Sequence, residues 1–137
     1  MKDGSPGLAL AATVLLAVPA LAVGCADALP DEIWGGEHVQ IQTTDAGAHL
    51  EFDCATGTIE ERFQADAQGR FSLAGTFTPE HGGPVRIGEE PTTVDATYSG
   101  TIENETMRLH VRVGGQDGRE DDYVLTRGRA GKVMKCR

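Results

Sequence analysis

Apolar and polar side chains alternate with a period of two over several separate stretches of this chain. Each stretch predicts a β-strand with one face in a core and the other in water. Val39, Ile41 and Thr43 are interleaved with His38, Gln40, Gln42 and Thr44, in a run that Trp34-Gly35-Gly36 opens. Ala48, Leu50, Phe52 and Cys54 alternate with His49, Glu51 and Asp53; Ala55-Thr56-Gly57 then has turn chemistry and leads into Ile59, Glu61 and Phe63. Asp45-Ala46-Gly47 and Asp66-Ala67-Gln68-Gly69 supply further turns, because Asp accepts from the backbone just ahead of it and Gly takes positive φ. Phe71, Leu73, Gly75 and Phe77 share one face of the next strand, and Val94, Ala96, Tyr98, Gly100 and Ile102 share one face of the strand after it. Glu103-Asn104-Glu105 turns that strand into Met107, Leu109, Val111 and Val113. A last strand carries Tyr123 to Thr126, and a short one near Val133 is expected to return Cys136 to the sheet.

Seven or eight antiparallel strands with mostly short connections and no helical period predict an all-β domain. A small meander barrel is the favoured architecture, since closure removes unpaired strand edges. An open β-sandwich is the alternative; Gly75 and Gly100 inside strands favour the barrel, where the sheet must bend or pack closely.

The N-terminus follows another pattern. Leu8 to Val23 is nearly unbroken aliphatic sequence, interrupted by Pro19. It is shorter than the ~20 residues a membrane-spanning helix needs, and predicts a removed signal-peptide helix over residues 1–24. Leu21-Ala22-Val23-Gly24-Cys25 resembles a lipoprotein cleavage signal, with Ala22 in place of the more usual Leu, and would leave Cys25 lipidated; Ala20-Leu21-Ala22 offers an ordinary secretory site instead. Residues 25–32 then form a tether and 33–137 a single β domain.

The cysteine count supports lipidation. There are three cysteines, and committing Cys25 to a thioether leaves Cys54 and Cys136 as an even pair in a compartment where disulfides persist. A mature chain beginning at Cys25 has 137 − 24 = 113 residues, one domain's worth. Lys2 and Asp3 leave together, so the net charge stays at −9, which argues against nucleic acid as a partner.

The longest connection, Thr78 to Thr93, contains His81-Gly82-Gly83-Pro84 and is the candidate binding loop. His81-Gly82-Gly83 is similar to the oxyanion loop of esterases, but no G-x-S-x-G elbow accompanies it, and Ser72 and Ser99 lie in other contexts. No catalytic residue is assigned. His38, His49 and His110 with Glu51 or Asp53 could converge on a metal, yet their spacing matches no ligand motif. The run Asp117 to Asp122 lacks the order of a calcium loop and reads as a solvated hairpin. No metal or cofactor is expected. Arg108, His110 and Arg112 line one strand face and could meet an acidic partner, but pairing with the Glu51 and Asp53 row of the same sheet is favoured. Trp34, at the start of the first strand, resembles the early Trp of lipocalin-like barrels, and that likeness implies that it plugs one barrel end and stacks with a late arginine, Arg127 or Arg129. Asn104-Glu105-Thr106 matches a glycosylation sequon but sits in a tight turn and is set aside.

Trp34-Gly35-Gly36-Glu37-His38, Leu50-Glu51-Phe52-Asp53-Cys54, Gly57-Thr58-Ile59, His81-Gly82-Gly83-Pro84, Tyr98-Ser99-Gly100 and Leu125-Thr126-Arg127-Gly128 resemble segments of small bacterial secreted proteins and lipoproteins of unassigned activity. The resemblance spans nearly all of the mature chain and implies a compartment, not a mechanism. A looser architectural likeness links it to lipocalin and avidin-like barrels.

Together these readings predict a non-enzymatic, exported protein, held at the bacterial envelope by lipid or else secreted. It would bind a protein or small molecule through the barrel mouth and the Thr78 to Thr93 loop. An inhibitor of a secreted or periplasmic hydrolase, and an enzyme using the His81 loop, are the alternatives.

Overall fold

The computed structural model describes residues 31–136 except 82, 85, 91, 116 and 117, together with Gly4. The signal segment, Cys25 and the tether up to Pro30 otherwise lie outside the described residues. Eight strands follow one another: β1 Ile33–Gly36, β2 Val39–Thr43, β3 Ala48–Phe52, β4 Ala55–Ile59, β5 Arg70–Pro79, β6 Val94–Glu103, β7 Thr106–Val113 and β8 Arg119–Arg127. Each pairs antiparallel with the next, and β1 pairs with β8, so the sheet closes into a barrel rather than a sandwich.

Several boundaries differ from the periodicity. The run opened by Trp34 is two strands, because Glu37 and His38 form a two-residue hairpin turn with His38 at φ 68°. Cys54 is likewise not a strand residue: it takes φ 54° in the Asp53-Cys54 turn. Ala55-Thr56-Gly57, expected to turn, therefore begins β4, with Ala55, Gly57 and Ile59 buried. Phe63 lies beyond β4 but is fully buried, packed on Phe71 with ring centroids 4.8 Å apart. No strand forms at Val133; Lys132 alone makes a parallel bridge to Glu37.

The inner face is filled. Trp34, Val39, Ile41, Leu50, Tyr98, Met107 and Leu125 are fully buried within one apolar cluster. Tyr98 carries much of the filling: its hydroxyl donates to the Thr76 carbonyl at 2.6 Å. A Cβ on Gly57 would strike that hydroxyl, and one on Gly75 would meet the ring and the Thr58 carbonyl. These two glycines leave the width that a tyrosine needs to cross a narrow barrel. Burial also raises the Tyr98 phenol well above its ordinary pKa, keeping it a neutral donor.

The up-and-down order gives the barrel two unlike ends. The base gathers Glu32, the β2–β3 and β4–β5 connections and the Asn104-Glu105 turn; the rim gathers the Glu37-His38 and Asp53-Cys54 turns and the two loops after β5 and β7. At the base, Glu32 and Thr43 exchange backbone and side-chain hydrogen bonds. The Arg127 guanidinium lies 4.9 Å from the Trp34 ring centroid and pairs with Glu32 at 3.6 Å and Glu105 at 4.0 Å. Of the two arginines expected above Trp34, Arg127 is the one that stacks.

After β8 the chain runs back up the outside as a strap. Gly131 donates to the Gln40 side chain at 3.0 Å, His38 and Lys132 exchange backbone bonds with Lys132 and Gly36, and Lys132 pairs with Glu37 at 2.8 Å. The strap ends at the rim in the Cys54–Cys136 disulfide, with the two Cα atoms 4.9 Å apart.

Candidate functional site at the barrel rim

The rim is built from the disulfide outward. Cys54 accepts from the Glu80 amide at 2.7 Å and donates to the Met134 carbonyl at 3.1 Å, so the loop after β5, the β3–β4 turn and the strap meet at one residue. Thr78 and Thr93, at the two feet of that loop, join hydroxyls at 2.8 Å. Lys135 adds ion pairs to Glu51 at 3.8 Å and Glu80 at 3.9 Å. Between these supports opens a hollow of about 320 Å³ lined chiefly by Phe77, Val94, Val113, Ala55, Pro79 and Arg119.

Arg119 is the residue that periodicity missed. The acidic run after Asp117 was expected to be a solvated loop, yet β8 starts at Arg119. Arg119 and Asp121 pair with Val113 and Val111, both buried, and directly opposed residues share a face. Arg119, Asp121 and Tyr123 therefore look into the barrel mouth. The Arg119 guanidinium carbon lies 5.9 Å from the Phe77 ring centroid, and its Nε donates to Asp121. That bond holds the Arg119 pKa up; burial raises the Tyr123 phenol as well. Counting back in twos from Leu125 would have found all three, but the unbroken polarity of residues 117–122 masked the strand.

Of the named loop residues, His81, Gly83 and Pro84 are exposed and Gly82 lies outside the described residues. His81 sits 3.6 Å from Glu89, an ion pair across the loop. The other histidines are dispersed. His38 bonds Asp53 at 2.5 Å at the rim, His110 bonds Asp122 at 2.8 Å on the outer wall, and His49 lies 4.0 Å from Glu51. Among the described residues, no three His, Cys, Asp or Glu side chains gather to hold a metal ion. The basic row also finds other partners than those expected: His110 and Arg112 pair with Asp122 and Glu120, their β8 neighbours, instead of Glu51 and Asp53. Cross-strand adjacency decides this, because β7 and β3 are not neighbours in the barrel.

Asp53 pins the strap. Its carboxylate accepts the Met134 amide at 2.7 Å and the His38 ring N–H, and the first of these bonds holds its pKa below the ordinary value against the opposing effect of burial. A depressed carboxyl contributes stability that is present above the unfolded pKa and is lost as pH falls through the lower, folded value. Asp53→Asn is therefore expected to cost about 1 kcal/mol at neutral pH. The difference from wild type should shrink toward zero on acidification below the carboxylate range, as read by denaturant titrations at a series of pH values. A difference independent of pH would remove the assigned charge effect.

Compared with protein-family models, curated proteins and solved structures, the chain gives no match to any of them.

Proposed function

We propose that this is an exported, lipid-anchored binding module without catalytic activity, meeting its partner at the rim of the barrel. The observation that carries this reading is the opposition of the two ends. The chain enters at the base, clamped there by Glu32, Thr43 and Arg127, while the braced loop and the apolar hollow lie at the other end of strands up to ten residues long. Tilted strands of that length span roughly 25 Å along the barrel axis. A lipid on Cys25, seven positions before Glu32, would hold the base toward the membrane and turn the rim away from it.

The loop offers a contact for a protein. Glu89 donates to the Arg86 carbonyl at 3.0 Å, closing a tight turn in which Gly88 takes φ 91° and Ile87 is fully exposed. One aliphatic side chain, presented on a turn whose parent loop is braced at its feet, suits insertion into an apolar pocket. That feature also favours the narrower reading of an inhibitor seated on a secreted hydrolase.

Two measurements test the proposal. Cys25→Ala should abolish fatty-acid labelling and move the protein from the membrane to the soluble fraction; unchanged membrane retention would remove the anchor. A photo-crosslinking residue at Ile87 should give an adduct of defined mass in intact cells, and one at Thr101, outward-facing toward the base, should not. No adduct at Ile87, or the same adduct at both positions, counts against rim contact.

A further inference from the structure

We infer that the rim hollow is a binding site for a compact, neutral aromatic molecule, held between the Phe77 ring and the Arg119 guanidinium. The inference deepens the rim-binding reading by naming a ligand class.

Three observations support it. First, the chain has one Trp, two Tyr and four Phe, and three of these seven aromatics stack toward the rim. Phe52 contacts both Phe77 and Tyr123, with centroids 5.5 Å apart in each pair and rings tilted by 47° and 46°. Phe77 presents this cluster to the hollow, and tilted aromatic surfaces favour a further ring. Second, Arg119 covers Phe77 loosely. Its guanidinium lies 5.9 Å from the centroid, against 4.9 Å for the Arg127 stack on Trp34 at the base. A ring between the two groups needs two contacts of ~3.5 Å, or about 7 Å in all, so a shift of about 1 Å at a half-exposed arginine would admit it. At the base the same insertion would need a shift of about 2 Å over a fully buried Trp34.

Third, depth and charge limit the ligand. Val111, Leu109 and Tyr98 are buried below the hollow, so a long chain cannot thread the axis and the occupant must be short. Arg119 already gives its Nε to Asp121, and the protein as a whole carries −9, so an anion gains little there and meets long-range repulsion. A neutral ring would take the guanidinium on one face and Phe77 on the other and needs no charge from Asp121.

The test uses N-phenyl-naphthylamine, a neutral fluorescent aromatic, and its anionic relative anilinonaphthalene sulfonate, with the folded, oxidised protein. The neutral probe should bind saturably at one site per chain and more tightly than the sulfonate. Arg119→Gln and Phe77→Leu should each weaken it about tenfold, with melting temperature retained in Arg119→Gln and a cooperative unfolding transition retained in Phe77→Leu, whose ring is part of the core. Val124→Ser, on the exposed outer wall, should leave binding unchanged. If Phe77→Leu fails to fold, Arg119→Gln decides alone, because its side chain is half-exposed at the rim. Absence of saturable binding, tighter binding of the sulfonate, or equal affinity in Arg119→Gln would overturn the inference. Crosslinking at Ile87 reads partner contact independently, so failure of the aromatic site leaves that result standing.

Discussion

Reducing the Cys54–Cys136 disulfide is expected to lower the stability of this protein by about 4 to 5 kcal/mol. The bond joins residues 82 apart in sequence, and closing a loop of that length removes a large share of the unfolded chain's freedom. For a domain this size, the loss corresponds to a fall in melting temperature on the order of 20 °C. The effect should exceed that of any single hydrogen bond in the strap. Gly131, Lys132 and Met134 are held by polar contacts at the surface, and such solvent-screened contacts each contribute much less than closure of the long loop. Cys136→Ser should reproduce the reduced protein, and unfolding of oxidised and reduced samples in denaturant measures the difference. Equal midpoints would show that the bond does not constrain the chain. Partial loss confined to the strap would appear as a lower transition slope, since less surface would be exposed in unfolding.

Tyr98→Ala is expected to cost about 3 to 5 kcal/mol, comparable with the disulfide, because it empties the middle of a filled barrel. Tyr98 is fully buried, and the groups around it were kept small to receive it: Gly57 and Gly75 have no room for a Cβ beside the ring. The two sites should therefore be strongly coupled. Gly57→Ala alone forces its methyl against the Tyr98 hydroxyl; in the Tyr98→Ala background that clash is gone. A double-mutant cycle should return a coupling energy of about 1 to 3 kcal/mol. Tyr98→Phe separates volume from hydrogen bonding: it keeps the ring and should cost only about 1 kcal/mol, the contribution of the bond to the Thr76 carbonyl. Additive effects for Gly57 and Tyr98 would mean that the ring relaxes elsewhere and the barrel is not filled as described.

Much of the fold was legible in the chain because a strand buried on one face leaves a period of two. The inward sets of β5, β6 and β7 were read residue for residue, and the turn at Asn104 fell where expected. Legibility failed where local chemistry and tertiary role diverge. Cys54 continued an apolar alternation, yet it bends into a turn to meet the strap. Gly57 resembled a turn glycine, yet it sits mid-strand to make space for Tyr98. Arg119 and Asp121 looked like solvent-facing charges, yet their pairing with Val113 and Val111 sets them on the inner side.

Alternation, polar turns and a pair of cysteines remaining after Cys25 thus sufficed for an antiparallel shell, since those signals are local and each strand carries its own. Closure itself was expected, because it removes sheet edges and because Gly75 and Gly100 lie inside strands; what no local pattern encodes is the pairing that achieves it, β1 with β8 across nearly the whole domain. The same holds for the rim, where Phe77, Arg119 and the loop feet come from separate strands and acquire a shared hollow only once the barrel is shut. Side-chain periodicity reports which face a residue occupies; which distant residues share that face is set by packing.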